Sequence, residues 1–99
     1  MLYAWTGTWR TDLSADAISG ALVRRATWQY PDGMKVIGEW WRPGAADPAI
    51  VSVFEADSYA PILEMSLAWG DVLNIQCTPA VTAQEGLVMG AQIMQKMSG

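Results

Sequence analysis

Four short segments rich in β-branched and aromatic residues alternate with Ala-rich stretches of helical spacing, and their order along the chain narrows the fold more than any single residue does. Leu2 to Trp9 (LYAWTGTW) reads as a strand. Asp12 to Trp28 reads as a helix, because Ile18, Ala21, Leu22 and Arg25 fall at i, i+3, i+4 and i+7. Ser14 or Asp12 can cap its exposed amides, and Asp16 suits the positive end of its dipole. In Tyr30-Pro31-Asp32-Gly33 the proline fixes φ and the glycine tolerates φ > 0, which makes a turn. A second strand follows from Met34 to Arg42, and Pro43-Gly44 and Asp47-Pro48 bracket a short loop. Ala49 to Ala56 (AIVSVFEA) is then the partner strand of a hairpin. Asp57 is placed to cap a second helix with Pro61 in its first turn. Apolar Ile62, Leu63, Met65, Leu67 and Trp69 predict that this helix is largely buried, and Gly70 ends it. Asp71 to Val81 reads as a fourth strand with Pro79 near its end or on a sheet edge. Thr82 and Glu85 have capping-box spacing ahead of a Met- and Ala-rich third helix, about 82–97.

The order β-α-β-β-α-β with a trailing helix is the split βαβ pattern of an α+β, ferredoxin-like sandwich, and residues 1–99 read as one such domain. Right-handed crossovers give the strand order 4-1-3-2 with the first two helices on one face. The net charge of −4 has the wrong sign for gripping a phosphate backbone, so no nucleic-acid partner is expected. No run approaches the roughly 20 apolar residues of a membrane span, and the N-terminus lacks the basic-then-apolar order of a signal peptide. A cytoplasmic protein with no membrane partner is the expectation.

An antiparallel sheet with helices on one face ordinarily alternates apolar-in and polar-out. Here both phases are apolar: Leu2 and Ala4 oppose Tyr3, Trp5 and Trp9; Val36 and Trp40 oppose Ile37 and Trp41; Ile50 and Phe54 oppose Val51 and Val53. A monomer would expose a large aromatic patch, and pairing two sheets into a homodimeric barrel would bury it. The competing arrangement places some of these tryptophans under the third helix and completes the monomer.

The layout of Met1 to Trp9, Pro31-Asp32-Gly33, Trp40, Glu55-Ala56-Asp57, Trp69-Gly70-Asp71 and Thr78-Pro79 resembles the domain of unknown function 3303 family over about residues 1–82. That family looks like part of the dimeric α/β-barrel superfamily, whose members pair two ferredoxin-like sheets and often hold a small ligand between sheet and helices. The resemblance therefore implies a fold and a homodimer, and it brings no established activity. The Trp40-Trp41 doublet and the Met-rich third helix are departures with no role to carry over.

Histidine is absent and Cys77 is the single cysteine. This removes Ser-His-Asp and Cys-His catalysis and the usual zinc ligands, and no metal or other cofactor is expected. Superfamily relatives that bind or degrade haem generally rely on a histidine, so the resemblance does not extend to a haem role. Cys77 shares a strand phase with Leu73 and Ile75 and reads as an inert core thiol. Met89, Met94 and Met97, at helical spacing, read as gap-filling core or interface. What remains is aromatic lining with a few polar groups, the usual makeup of a pocket for an apolar or aromatic small molecule. Trp5, Trp9, Trp40, Trp69, Glu39, Arg42, Glu55 and Asn74 are the candidate ligand-binding residues, and no catalytic residue is assigned. Two alternatives stand beside this reading. One is a structural or interaction module whose aromatic sheet face serves only dimerisation. The other, implied by superfamily relatives that oxidise or rearrange aromatic polyketides without cofactor, is a cofactor-free monooxygenase- or isomerase-like enzyme.

Overall fold

The computed structural model describes residues 1–43 and 46–99; Gly44 of the Pro43-Gly44 pair lies outside the described residues. The elements are β1 (Leu2–Trp9), α1 (Ala15–Thr27), β2 (Met34–Trp41), β3 (Ile50–Ala56), α2 (Ala60–Trp69), β4 (Leu73–Ala80) and α3 (Ala83–Ser98). One four-stranded sheet has the order β2-β3-β1-β4 with every neighbouring pair antiparallel, which is the expected order read from its other edge. The fold is thus an α+β ferredoxin-like sandwich with an extra C-terminal helix.

Local chemistry explains the boundaries. The Ser14 hydroxyl accepts from the Ala17 amide, so Ser14 rather than Asp12 caps α1, with Asp16 in the first turn. Gly33 sits at φ 94°, a left-handed conformation that costs any residue with a Cβ, and thereby turns the chain into β2. Helix α2 departs from expectation at its start: its N-cap is Tyr59, not Asp57, and no side chain caps it. Pro61 in the first turn has no N–H to leave unpaired. Thr82 accepts from the Glu85 amide and donates its hydroxyl to the Glu85 carboxylate, the anticipated cap of α3.

The core lies between the sheet and one helical layer. Trp5, Phe54, Ala56 and Leu73 from the strands meet Ala21 of α1 and Ile62, Met65 and Trp69 of α2. Trp5 is fixed in this layer by an N–H···O bond from its Nε1 to the Ser66 hydroxyl, 3.2 Å. Alternation then puts Tyr3, Gly7 and Trp9 on the helical side and Leu2, Ala4, Thr6 and Thr8 on the open side. The Gly7 hydrogen stands where a Cβ would come within 2.9 Å of Leu73, so a side chain there would push on the core. Of the apolar positions in α2 only one side is buried; Leu63 and Leu67 are exposed, correcting the expectation of a largely buried helix.

Two further expectations are corrected. Val36 pairs with Phe54 but Gly38 pairs with Val53, so the register shifts between them and Ile37 is the extra residue of a bulge. Val36 and Trp40 therefore do not share a face: Val36 pairs with the inward Phe54, whereas Trp40 pairs with Val51 on the open side. The outer edge of the Trp40 ring lies against Gly38, where a Cβ would meet it at 2.5 Å. Helix α3 has no buried residue, and Met89, Met94 and Met97 are exposed rather than core. The radius of gyration of 16.5 Å exceeds the roughly 13 Å of a compact domain this size, because α3 stands off the sandwich. No residue of α3 is among those packed on the core.

Gly33→Ala should destabilise the protein by about 1–2 kcal/mol through the strained φ alone, read as a lower urea midpoint with an unchanged slope.

Candidate functional site

The helical layer does not fill the space above the sheet. A concavity of about 540 Å³, counted out to open solvent, of which about 70 Å³ is comparable with a cavity volume, lies between α1, α2 and the sheet. Five of the six tryptophans line it: Trp5 and Trp9 from β1, Trp28 from the end of α1, Trp41 from β2 and Trp69 from α2. Met65, Leu73, Ala21 and Ile50 complete its apolar wall, and the exposed lining residues Leu22, Trp41 and Arg42 mark its mouth.

One carboxylate reaches this space. Glu39 pairs with the inward Ser52, which is opposite Trp5 on the next strand, so the three side chains form a row across the sheet on the helical side. Arg25, on the last turn of α1, forks onto Glu39 with Nε to Oε2 at 3.2 Å and Nη2 to Oε1 at 3.1 Å. Trp41 Nε1 donates to Oε2 at 2.6 Å, and the Tyr30 hydroxyl donates to Oε1. The Tyr30 oxygen also lies 2.8 Å from the fully buried Ser52 hydroxyl. Burial works against the charge of Glu39, but the bonds from Arg25, Tyr30 and Trp41 and the Arg25 charge outweigh it and hold the carboxyl below its ordinary value. Burial and the same bond to Glu39 push Tyr30 up to about 12. The carboxylate is therefore ionised and the phenol neutral through the physiological range.

A second clamp continues the network outward. Trp28 meets Tyr30 at 4.9 Å between ring centroids and Trp69 edge-on at 5.6 Å. Arg24 lies over Trp69 at 4.5 Å and forks onto Asp71 at 3.1 and 3.2 Å, bonds that lower the Asp71 carboxyl. Asp71 thus ties β4's approach to α1 in addition to marking the turn after Gly70. Arg25 lies over Trp28 at 5.6 Å. Two consecutive arginines each cover a tryptophan and each fork a carboxylate, which pins the end of α1 over the sheet.

Of the eight candidate residues, the structure gathers Trp5, Trp9, Glu39, Arg42 and Trp69 around the concavity. It does not bring the other three there. Trp40 pairs with Val51, Glu55 with Leu2 and Asn74 with Thr8, all on the open side of the sheet. Sequence reasoning missed Arg25, Trp28, Tyr30, Trp41 and Ser52. Two of these carried a signal: an arginine on the apolar stripe of α1 needs a buried anion, and Ser52 interrupts the inward phase of Ile50 and Phe54. Trp28 and Tyr30 lie in the α1–β2 connection, where no periodicity indicates direction. Cys77 is half-buried with its thiol pushed up by desolvation, and among the described residues no three metal-ligating side chains come together. No described helix is long and apolar enough to cross a membrane.

A ferredoxin-like α+β sandwich with a tryptophan-lined space between its helices and sheet is the class these observations define. The chain belongs to the DUF3303 family, a domain of unknown function, whose match covers residues 1–94 and so runs past the first 82 residues into α3. No match was found among curated proteins or solved structures.

The linkage signs of the two titrating groups are opposite. A carboxyl lowered by folding contributes stability above its unfolded value of 4.5, and this is lost as the pH falls through the folded value. A phenol raised by folding contributes stability below 10.0, lost between there and about 12. Chemical denaturation across pH should therefore show wild type more stable than Glu39→Gln at neutral pH, with the gap closing below about pH 4.5. An ultraviolet titration should show one tyrosine resisting ionisation until about pH 12, missing in Tyr30→Phe.

Proposed function

We propose that this protein binds a small apolar or aromatic molecule in the tryptophan-lined concavity, as a cytoplasmic homodimer paired through the open side of its sheet. The observation that carries the reading is that five tryptophans converge on a space their own side chains leave unfilled, although a close-packed interior would collapse it. The part of the space comparable with cavity volumes, about 70 Å³, suits only a small ligand, and the wall is apolar with a few placed polar groups.

The pairing is supported by the open side itself. Leu2, Ala4, Val51 and Val53 form its centre, and Trp40 beside them is 55% exposed. Leu2, Ala4, Val51 and Val53 are themselves half-buried. A patch of this kind on the flat side of a sheet is the usual ground for association. The acid–base state of the concavity favours binding over proton transfer: Glu39 is a stabilised anion and a weak base, and Tyr30 is a weaker acid than a free phenol.

Native mass spectrometry of gently purified protein tests both parts. The expected spectrum is a dimer carrying extra mass, with Leu22→Trp at the mouth giving the dimer without it. A monomer at micromolar concentration would remove the pairing. A dimer that retains no mass and whose tryptophan emission ignores added naphthalene derivatives would remove the ligand.

A further inference from the structure

The charged side chains around the concavity discriminate among aromatic ligands, and this inference rests on the reading of that space as a ligand site. Three of the lining residues are charged: Arg25, Glu39 and Arg42. A carboxylate offers about four lone-pair sites, and Glu39 has four donors, two from Arg25 and one each from Tyr30 and Trp41. It has no acceptor capacity left for a ligand's donor. Arg25 has its charge balanced by Glu39, with three of its five N–H donors engaged: Nε and Nη2 on Glu39 and Nη1 on the Trp28 carbonyl at 3.4 Å. The pair is internally neutral.

Two of the five lining tryptophans already carry a cation, so a second one would meet repulsion there. Arg24 lies over Trp69, and Arg25 over Trp28 and Tyr30. The remaining charge is Arg42 at the mouth. Its Nη1 makes only long contacts to the Pro48 and Asp47 carbonyls, 3.3 and 3.5 Å, and its Nε and Nη2 have no partner among the described residues. Neutral carbonyls do not compensate a guanidinium as a carboxylate does, and the neighbouring Asp47 carboxylate accepts from Thr8 without pairing with Arg42, so among the described residues the guanidinium has no carboxylate partner and its fork of donors is open.

We propose that the ligand is a small planar aromatic carboxylate, its ring among the tryptophans and its carboxylate on the Arg42 guanidinium. The ring enters the apolar interior while the charge stays at the exposed mouth, so neither group is desolvated without a partner. Because Arg42 is exposed, the electrostatic part of the affinity weakens with salt.

The test is tryptophan-fluorescence titration with naphthoate, with naphthylmethanol as the neutral analogue of the same shape and naphthylmethylammonium as the cationic one. Wild type should bind naphthoate about two- to fivefold tighter than naphthylmethanol, the span expected of an ion pair at an exposed site. Arg42→Gln should lose that preference and keep its affinity for naphthylmethanol, and Arg42→Lys should recover only part of it. Circular dichroism should show Arg42→Gln folded as wild type. Equal binding of naphthoate and naphthylmethanol, a preference that survives in Arg42→Gln, or tighter binding of the ammonium would overturn the anionic ligand and leave the site standing. Failure of all three probes to bind would overturn the site reading itself.

Discussion

The Glu39 carboxylate is the constraint on which the arrangement above the sheet depends. A charge in a half-buried position costs free energy unless its hydrogen-bonding capacity is met, and here the donors come from three separate stretches of chain: Arg25 from α1, Tyr30 from the α1–β2 connection and Trp41 from β2 itself. Satisfying one anion thereby fixes the end of α1, the path of the connection and the direction of the Trp41 ring. Those are the groups that form one wall of the concavity. The opposite wall, Trp5, Met65 and Trp69, is set by ordinary core packing and by the Trp5–Ser66 bond. A polar clamp on one side and a packed core on the other hold the space between them open.

The two arginine clamps differ in what surrounds them. Arg24–Asp71 is largely exposed, with side chains 42% and 59% accessible, and a pair of that kind contributes little on its own. Arg25–Glu39 is more enclosed, 31% and 15% accessible, and its geometry is reinforced by a phenol and an indole. Their common effect is positional: each arginine lies over a tryptophan and forks a carboxylate, and Trp28 and Trp69 stand at 77° to one another. Both rings then present apolar surface to the concavity.

The elements and their order were legible in the sequence because each depends on a local signal. Ser14, Gly33, Pro61, Thr82 and Glu85 act through backbone groups a few residues away, and the strands alternate with period two. Strand order followed from crossover handedness, which is also local in origin. Errors arose where a non-local contact decides. The bulge at Ile37 breaks the alternation of β2, and no residue type announces it except Gly38, whose lack of a Cβ makes room for the Trp40 ring. Asp57 has the chemistry of a cap, yet the chain enters α2 two residues later. The candidate site was half legible: Trp5, Trp9 and Trp69 follow from inward phase, whereas Arg25 meets Glu39 fourteen residues away, across a turn whose geometry periodicity does not describe.

The Trp40-Trp41 doublet joins the two apolar regions of the molecule. Neighbouring residues of a strand point to opposite sides, so the doublet puts one indole on the open side and the next at the mouth of the concavity, beside Glu39. The bulge just before it sets which tryptophan goes where; without the extra residue the strand preceding it would present its side chains in the opposite phase. β2 is also an edge strand, held to the sheet only by β3. A contact that shifts Trp40 acts on the same short strand that carries Glu39 and Trp41, and on Arg42 immediately after it. The open side of the sheet and the mouth of the concavity therefore share one short segment, with the Glu39 network as its anchor.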